Sequence, residues 1–167
     1  MGVMTNIIYS FKPMLTPKQM LKKGIFGGTY FNQLVDYRKF PKDWFLELDD
    51  IYFLSKKYEK DINFFKIKSG QSQEEWEAKG WINKDDPRGW FEWYCKFFTG
   101  RRHQDDERQI KRWAAMRRHV TQIKNNCNKG DLGCRRKQRL ALLHWAYDSR
   151  NLSLKLRVTT RMHSQAI

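Results

Sequence analysis

No stretch of this chain approaches the roughly 20 consecutive apolar residues that a membrane-spanning helix needs. A membrane partner is therefore not expected. Cysteine is scarce, with only Cys95, Cys127 and Cys134 in 167 residues. An odd, small number argues against a disulfide framework, so reduced intracellular thiols are the expected state. The first residues have no basic segment ahead of an apolar one, and no secretory signal is expected. They are not rich in Arg and Ser, which excludes the pattern of a transit peptide. Asn6 stands where a myristoylation pattern needs Ser or Thr. No internal repeat is visible.

Signatures of bound cofactors are missing too. Gly27-Gly28 has neither the downstream Lys-Ser/Thr of a phosphate loop nor the third glycine of a dinucleotide fingerprint. A tight turn between aromatic residues is the better account of it. His119, Cys127, Cys134 and His144 are four potential zinc ligands, but their gaps match no knuckle of two close cysteines. Neither a metal nor a cofactor is expected.

Acidic residues are few after position 90. Residues 1–90 carry 15 Lys and Arg against 12 Asp and Glu, a net of +3. Residues 91–167 carry 18 against 6, a net of +12, which completes the total of +15. Such an excess raises the local anion concentration and points to a polyanionic partner. Hydrophobic residues are 40% of the chain, with 7 Trp, 7 Tyr and 11 Phe, so a buried core is affordable and pervasive disorder is excluded.

Local signals organise the middle of the chain. Thr16-Pro17-Lys18-Gln19 reads as a capping box with Pro at the first helical position. Pro41 opens a second short helix through Trp44, Phe45 and Leu48. Asn63–Lys68 reads as a short strand or extended packing segment. Ser72-Gln73-Glu74-Glu75 is a second capping box. Asp86-Pro87 opens a helix through Trp90, Trp93, Tyr94, Phe97 and Phe98, whose three- and four-residue spacing marks a core-facing stripe.

A single helix is expected from about Asp105 to Asn125. At 100° per residue, Ile110, Trp113, Ala114 and Val120 share one side. Arg108, Lys111, Arg112, Arg118 and His119 share the other and form a cationic ridge. Arg117 falls among the apolar positions, where it would need a carboxylate or a ligand. The last helix is expected over Cys134–Ser149, basic in its first turn and apolar on almost every side after it, as a central helix would be. Leu152, Leu154, Leu156 and Val158 then alternate with polar residues at the period of a strand.

Several blocks carry a resemblance. They are Asp86-Pro87-Arg88-Gly89-Trp90-Phe91-Glu92-Trp93-Tyr94-Cys95, Asp106-Glu107-Arg108-Gln109-Ile110-Lys111-Arg112-Trp113 and Leu142-Leu143-His144-Trp145-Ala146-Tyr147-Asp148, with Lys79-Gly80-Trp81-Ile82, Gly100-Arg101-Arg102, Thr16-Pro17, Gln19-Met20-Leu21 and Phe26-Gly27-Gly28. From about Leu15 to Arg150 the chain resembles a family of small, basic, tryptophan-rich proteins of bacteria, plants and algae, fungi and large DNA viruses. The resemblance implies no activity and supplies no catalytic residues.

The expected fold is mainly α: a single compact domain of about six helices, with a short strand element and an extended C-terminal tail. Residues 1–14 form an N-terminal arm and 15–150 the basic tryptophan-rich domain. Residues 151–167 form a tail suited to adding as a strand to a partner. The leading function is non-catalytic binding of nucleic acid, DNA or RNA, or of another polyanion. The expected contacts are Arg101, Arg102, Arg108, Lys111, Arg112, Arg118, Arg135, Arg136 and Arg139. Base stacking is not expected, because the aromatic residues sit on core faces. A second class is a structural component among the protein subunits of a virion or ribonucleoprotein, placed inside the cell or within the particle.

Enzymatic candidates are weak. His144 and Asp148 lie four apart and would share a helical face, but no nucleophile is tied to them, and a structural pair is favoured. Asp106, between Asp105 and Glu107, lies in an acidic run that a helix N-terminus attracts in any case. Neighbours in that run diverge by about 100°, which disfavours a catalytic metal.

Overall fold

A computed structural model of the chain describes residues 2–31, 34–68, 78, 80 and 83–151. The fold is mainly helical and compact, and no strand occurs among the described residues. The capping box at Ser72 and the alternating tail lie outside the described residues.

Helix α1 spans Gly2–Ser10 and α2 spans Pro17–Lys22. The capping box that starts α2 is complete. Gln19 N–H donates to Thr16 Oγ1 at 3.2 Å, and Thr16 N–H donates to Gln19 Oε1 at 2.9 Å, which satisfies two of the orphan amides of the first turn.

The segment from Val35 to Lys68 departs from expectation. Pro41 leads only to a 3-10 turn, Lys42–Trp44, and three further such turns follow the same pattern: Tyr37–Lys39, Asp50–Tyr52 and Lys60–Ile62. Asn63–Lys68 is irregular and not a strand. These stretches are too short to overcome the cost of helix nucleation. Their order comes from side chains instead. Phe40, Trp44, Phe45 and Phe53 are buried, with Phe40 stacked on Trp44 and Phe45 against Phe53.

Helix α3 spans Trp90–Phe98 and is the centre of the molecule. Trp90, Phe91, Glu92, Trp93, Tyr94, Cys95 and Phe97 are all buried. Phe11 sits in the middle of this group, with ring centroids 4.9 Å from Trp113 and 5.5 Å from each of Trp93, Tyr94 and Phe97. The N-terminal stretch that the sequence sets apart thus contributes one of the best-packed rings. The last helix, α6, is shorter than expected and covers Arg136–Leu143. Ala146 adopts φ +61, a left-handed conformation that no helix continues through.

The long basic helix is two helices. Helix α4 spans Asp106–Ala115 and α5 spans Arg117–Asn126, meeting at Met116. Arg117 lies exposed, with its guanidinium 5.7 Å from the Trp113 ring centroid, and not among the apolar side chains.

The glycine turn after α2 carries Gly28 at φ +80, and a Cβ there would lie 1.9 Å from the Ile51 carbonyl oxygen. Gly28→Ala should therefore cost roughly 3 kcal/mol or more, from backbone strain plus collision with backbone. Gly130→Ala, at φ +83 with nothing within 4 Å, should cost only about 1 kcal/mol. Chemical denaturation of the two variants checks the contrast.

Candidate nucleic-acid interface

Most of the cations expected around α4 have partners within the chain, although Arg108 and Lys111 stay half or more exposed. Arg101 makes a bidentate pair with the fully buried Asp86, at 2.9 and 2.7 Å. Lys96 joins from the other side, 3.0 Å from Asp86 and 2.8 Å from the buried Glu92. Arg108 forks onto Asp105, and Lys111 pairs with Glu107. Arg102 lies over the Phe97 ring at 3.9 Å and donates to the Phe97 carbonyl. Arg112 donates to Gln109 Oε1 and covers Trp145 at 5.1 Å. Burial and the neighbouring Arg108 pull its pKa below the ordinary arginine value.

Arg139 is buried and structural. It donates to the carbonyls of Cys134 and Asp131 and to Ser149 Oγ, at 2.7, 3.1 and 3.0 Å. These bonds hold the loop between α5 and α6. Cys127 and Cys134 close that loop with a disulfide, which overturns the expectation of reduced thiols for this pair. Cys95 stays free and buried. The pairing also removes both sulfurs from any zinc set with His119 and His144. The reason is proximity: one cysteine caps α5 and the other precedes α6, so helix packing brings together residues that motif spacing leaves unassigned.

A group of exposed cations lies at the α5–α6 edge. Arg117, Arg118, Arg135, Arg136 and Lys137 have no carboxylate within 4 Å among the described residues. A groove of about 590 Å³ runs between the two helices. Lys68, Arg135 and Lys137 supply its charge, and no Asp or Glu among the described residues lines it. Met116 and Ala141 contribute apolar surface. Gln138 bridges the walls, with its amide nitrogen 2.9 Å from His119 Nδ1 and also on Gln122 Oε1. Burial and the Arg118 charge lower the His119 pKa. Lys68, His119 and Gln138 were not legible as a group, because they come from three separate elements.

Neither enzymatic candidate is assembled. The Ala146 turn removes Asp148 from the face of His144. Asp148 instead accepts both ends of the Arg150 guanidinium at 2.9 and 2.7 Å. Burial alone would raise its pKa, but the Arg150 bonds outweigh it and the carboxyl stays below its ordinary value. His144 donates to the Ile25 carbonyl at 3.2 Å and stacks on Phe26. Asp106 accepts from Trp93 Nε1 at 2.8 Å and from His103 N–H at 2.9 Å. Asp105, Asp106 and Glu107 thus serve different partners. Among the described residues, no group of three or more His, Cys, Asp or Glu converges on a common point.

Burial lowers the His144 pKa to about 4. An unfolded chain protonates that imidazole near pH 6.5. The stabilisation is therefore complete above pH 6.5 and is lost as pH falls toward 4, amounting to about 3 kcal/mol. The lowered carboxylates, Asp36, Asp105 and Asp148, act below that window, and His119, also lowered, adds to the decline within it. His144→Gln, which retains a donor for Ile25, should flatten the decline in stability between pH 6.5 and 4 in denaturation curves.

Compared with known proteins, the chain matches no family model, no curated protein and no solved structure.

Proposed function

We propose that this protein binds nucleic acid, or a polyanion of similar charge density, through the α5–α6 edge and without catalysing a reaction. The observation that carries this is the groove between those helices, which gathers three cations and no acidic side chain among the described residues. Arg118 and Arg136 extend the same charge along the surface. The net +12 of residues 91–167 supports the choice of partner. The interface differs from the ridge read from helical periodicity. Arg101, Arg108 and Lys111 neutralise carboxylates, and Arg139 serves the loop, so the contacts shift toward Arg118, Arg135, Arg136, Lys137 and Lys68. The tryptophan-rich family that the chain resembles adds no activity to this proposal.

A structural role in a larger intracellular assembly or a virion is the second reading. It is favoured by Leu34, Leu46, Ile51 and Leu54, four exposed apolar side chains within one segment, of which Leu46 is 78% exposed. On that reading about six helices form the domain, and the alternating residues after 151 offer a strand to a partner subunit.

Affinity for DNA, RNA and heparin, measured over a salt series, tests the leading reading. Five phosphate contacts predict a log–log slope of about −4.5 for duplex DNA. Replacing Arg118, Arg135 and Lys137 together by Ala should reduce the slope by about 3 and leave the fold intact. Arg108→Ala should change it far less. Asp86→Ala should instead unfold the protein, because removing one partner of a buried ion cluster costs about 3–5 kcal/mol. Failure of the intact protein to bind any of the three polyanions at low salt rules the reading out.

A further inference from the structure

Among the described residues, Phe64 is one of three aromatic side chains left exposed, with Tyr9 and Phe98. The chain places Phe64 and Phe65 side by side, with ring centroids 5.1 Å apart. Phe65 is buried, whereas Phe64 is 52% exposed. A single exposed ring needs no special explanation, but two features set this one apart. The Arg150 guanidinium lies 4.4 Å from its ring centroid, and that guanidinium is fixed by two bonds to the buried Asp148. Arg150 is thus a held cation over one face of the ring and not a drifting surface side chain.

The ring also belongs to the same segment as the groove. Arg136, in the first turn of α6, donates to the Phe65 carbonyl at 3.4 Å. Lys68, four residues after Phe64, lines the groove together with Arg135 and Lys137. Four residues span at most about 14 Å. An exposed ring and a set of cations without carboxylate partners therefore lie within reach of one short strand of nucleic acid.

We propose that the groove and Phe64 together form a site for single-stranded nucleic acid. Phosphates of the strand lie on Arg135, Arg136, Lys137 and Lys68, and one unpaired base stacks on the Phe64 ring beside Arg150. A phenyl ring has no group that reads a groove edge, but it offers a π-face to any unpaired base. A duplex hides those faces within its own stack and meets only the cations. This deepens the polyanion-binding reading and rests on it. It also assigns a stacking role where sequence periodicity leads one to expect none.

The test compares four labelled probes at one salt concentration by fluorescence anisotropy: a single-stranded oligonucleotide, an abasic strand of equal length, a duplex and heparin. The single strand should bind about 5- to 150-fold more tightly than the abasic strand, the range of one stacked base. Phe64→Ala should abolish that difference without changing the salt slope, and Phe64→Tyr should restore it. Phe64→Leu, which keeps an apolar contact for Arg150 but has no ring, should behave as Phe64→Ala. Equal affinity of the intact protein for the base-bearing and abasic strands overturns the inference while leaving polyanion binding in place. So does a Phe64→Leu variant that still prefers the base-bearing strand. No binding to any probe overturns the polyanion reading itself. The comparison of strands on the unaltered protein decides the matter even if a Phe64 variant fails to fold.

Discussion

The structure depends on a carboxylate with no access to water. Asp86 lies fully buried just before α3, where an isolated charge would be prohibitively unfavourable. It is tolerated because Arg101 grips both its oxygens from just beyond the end of α3 and Lys96 approaches from within that helix. The cluster therefore ties the entry of the central helix to its exit. A second clamp works at the same entry. Tyr30 donates its hydroxyl to the Arg88 carbonyl at 2.7 Å and accepts from the Glu92 amide, while Arg88 donates to the Tyr30 carbonyl. The glycine turn after α2 is thereby fastened to the start of α3, and the aromatic wrap of residues 34–68 is held against a helix whose position is already set.

This use of charge changes what the composition means. A strongly basic chain is not evenly basic at its surface. Within α4 and the loop before it, most cations meet a carboxylate or an aromatic face: Arg101 with Asp86, Arg108 with Asp105, Lys111 with Glu107, Arg102 over Phe97 and Arg112 over Trp145. Acidic residues are concentrated before and at the start of α4. After it, along α5 and the first turn of α6, acids are few, and Arg139 turns inward to hold the loop. Exposed cations occur elsewhere too, such as Lys39, Lys42, Lys56 and Lys84, but at the α5–α6 edge several lie around a groove that no acidic side chain lines among the described residues. That edge is also where the disulfide fixes the ends of the two helices and where Phe64 and Arg150 lie against the neighbouring segment.

Parts of this were legible residue by residue. The capping box at Thr16 is a local interaction of four residues, and it forms as written. The apolar spacing from Trp90 to Phe97 identifies a buried helix, because eight consecutive residues supply the whole pattern. The periodicity from Ile110 to Val120 identifies the buried side, although the chain breaks the helix at Met116. It says where an Arg points, without saying which carboxylate meets it. His144 and Asp148 fail as a pair because the helix ends at Leu143 and the chain turns at Ala146 between them.

What the sequence by itself determined is the mainly helical class, the aromatic core and a surplus of positive charge weighted to the second half. These follow from composition and from patterns that repeat within one or two helical turns. Only the tertiary structure decided which cations remain available, that Cys127 and Cys134 meet, and that Phe64 is left outside next to a fixed arginine. Those outcomes depend on contacts between residues far apart in the chain, such as Asp86 with Arg101 or Phe65 with Arg136. A local pattern carries no record of such partners, because the energy of each pair arises only once packing has brought the two together and excluded water.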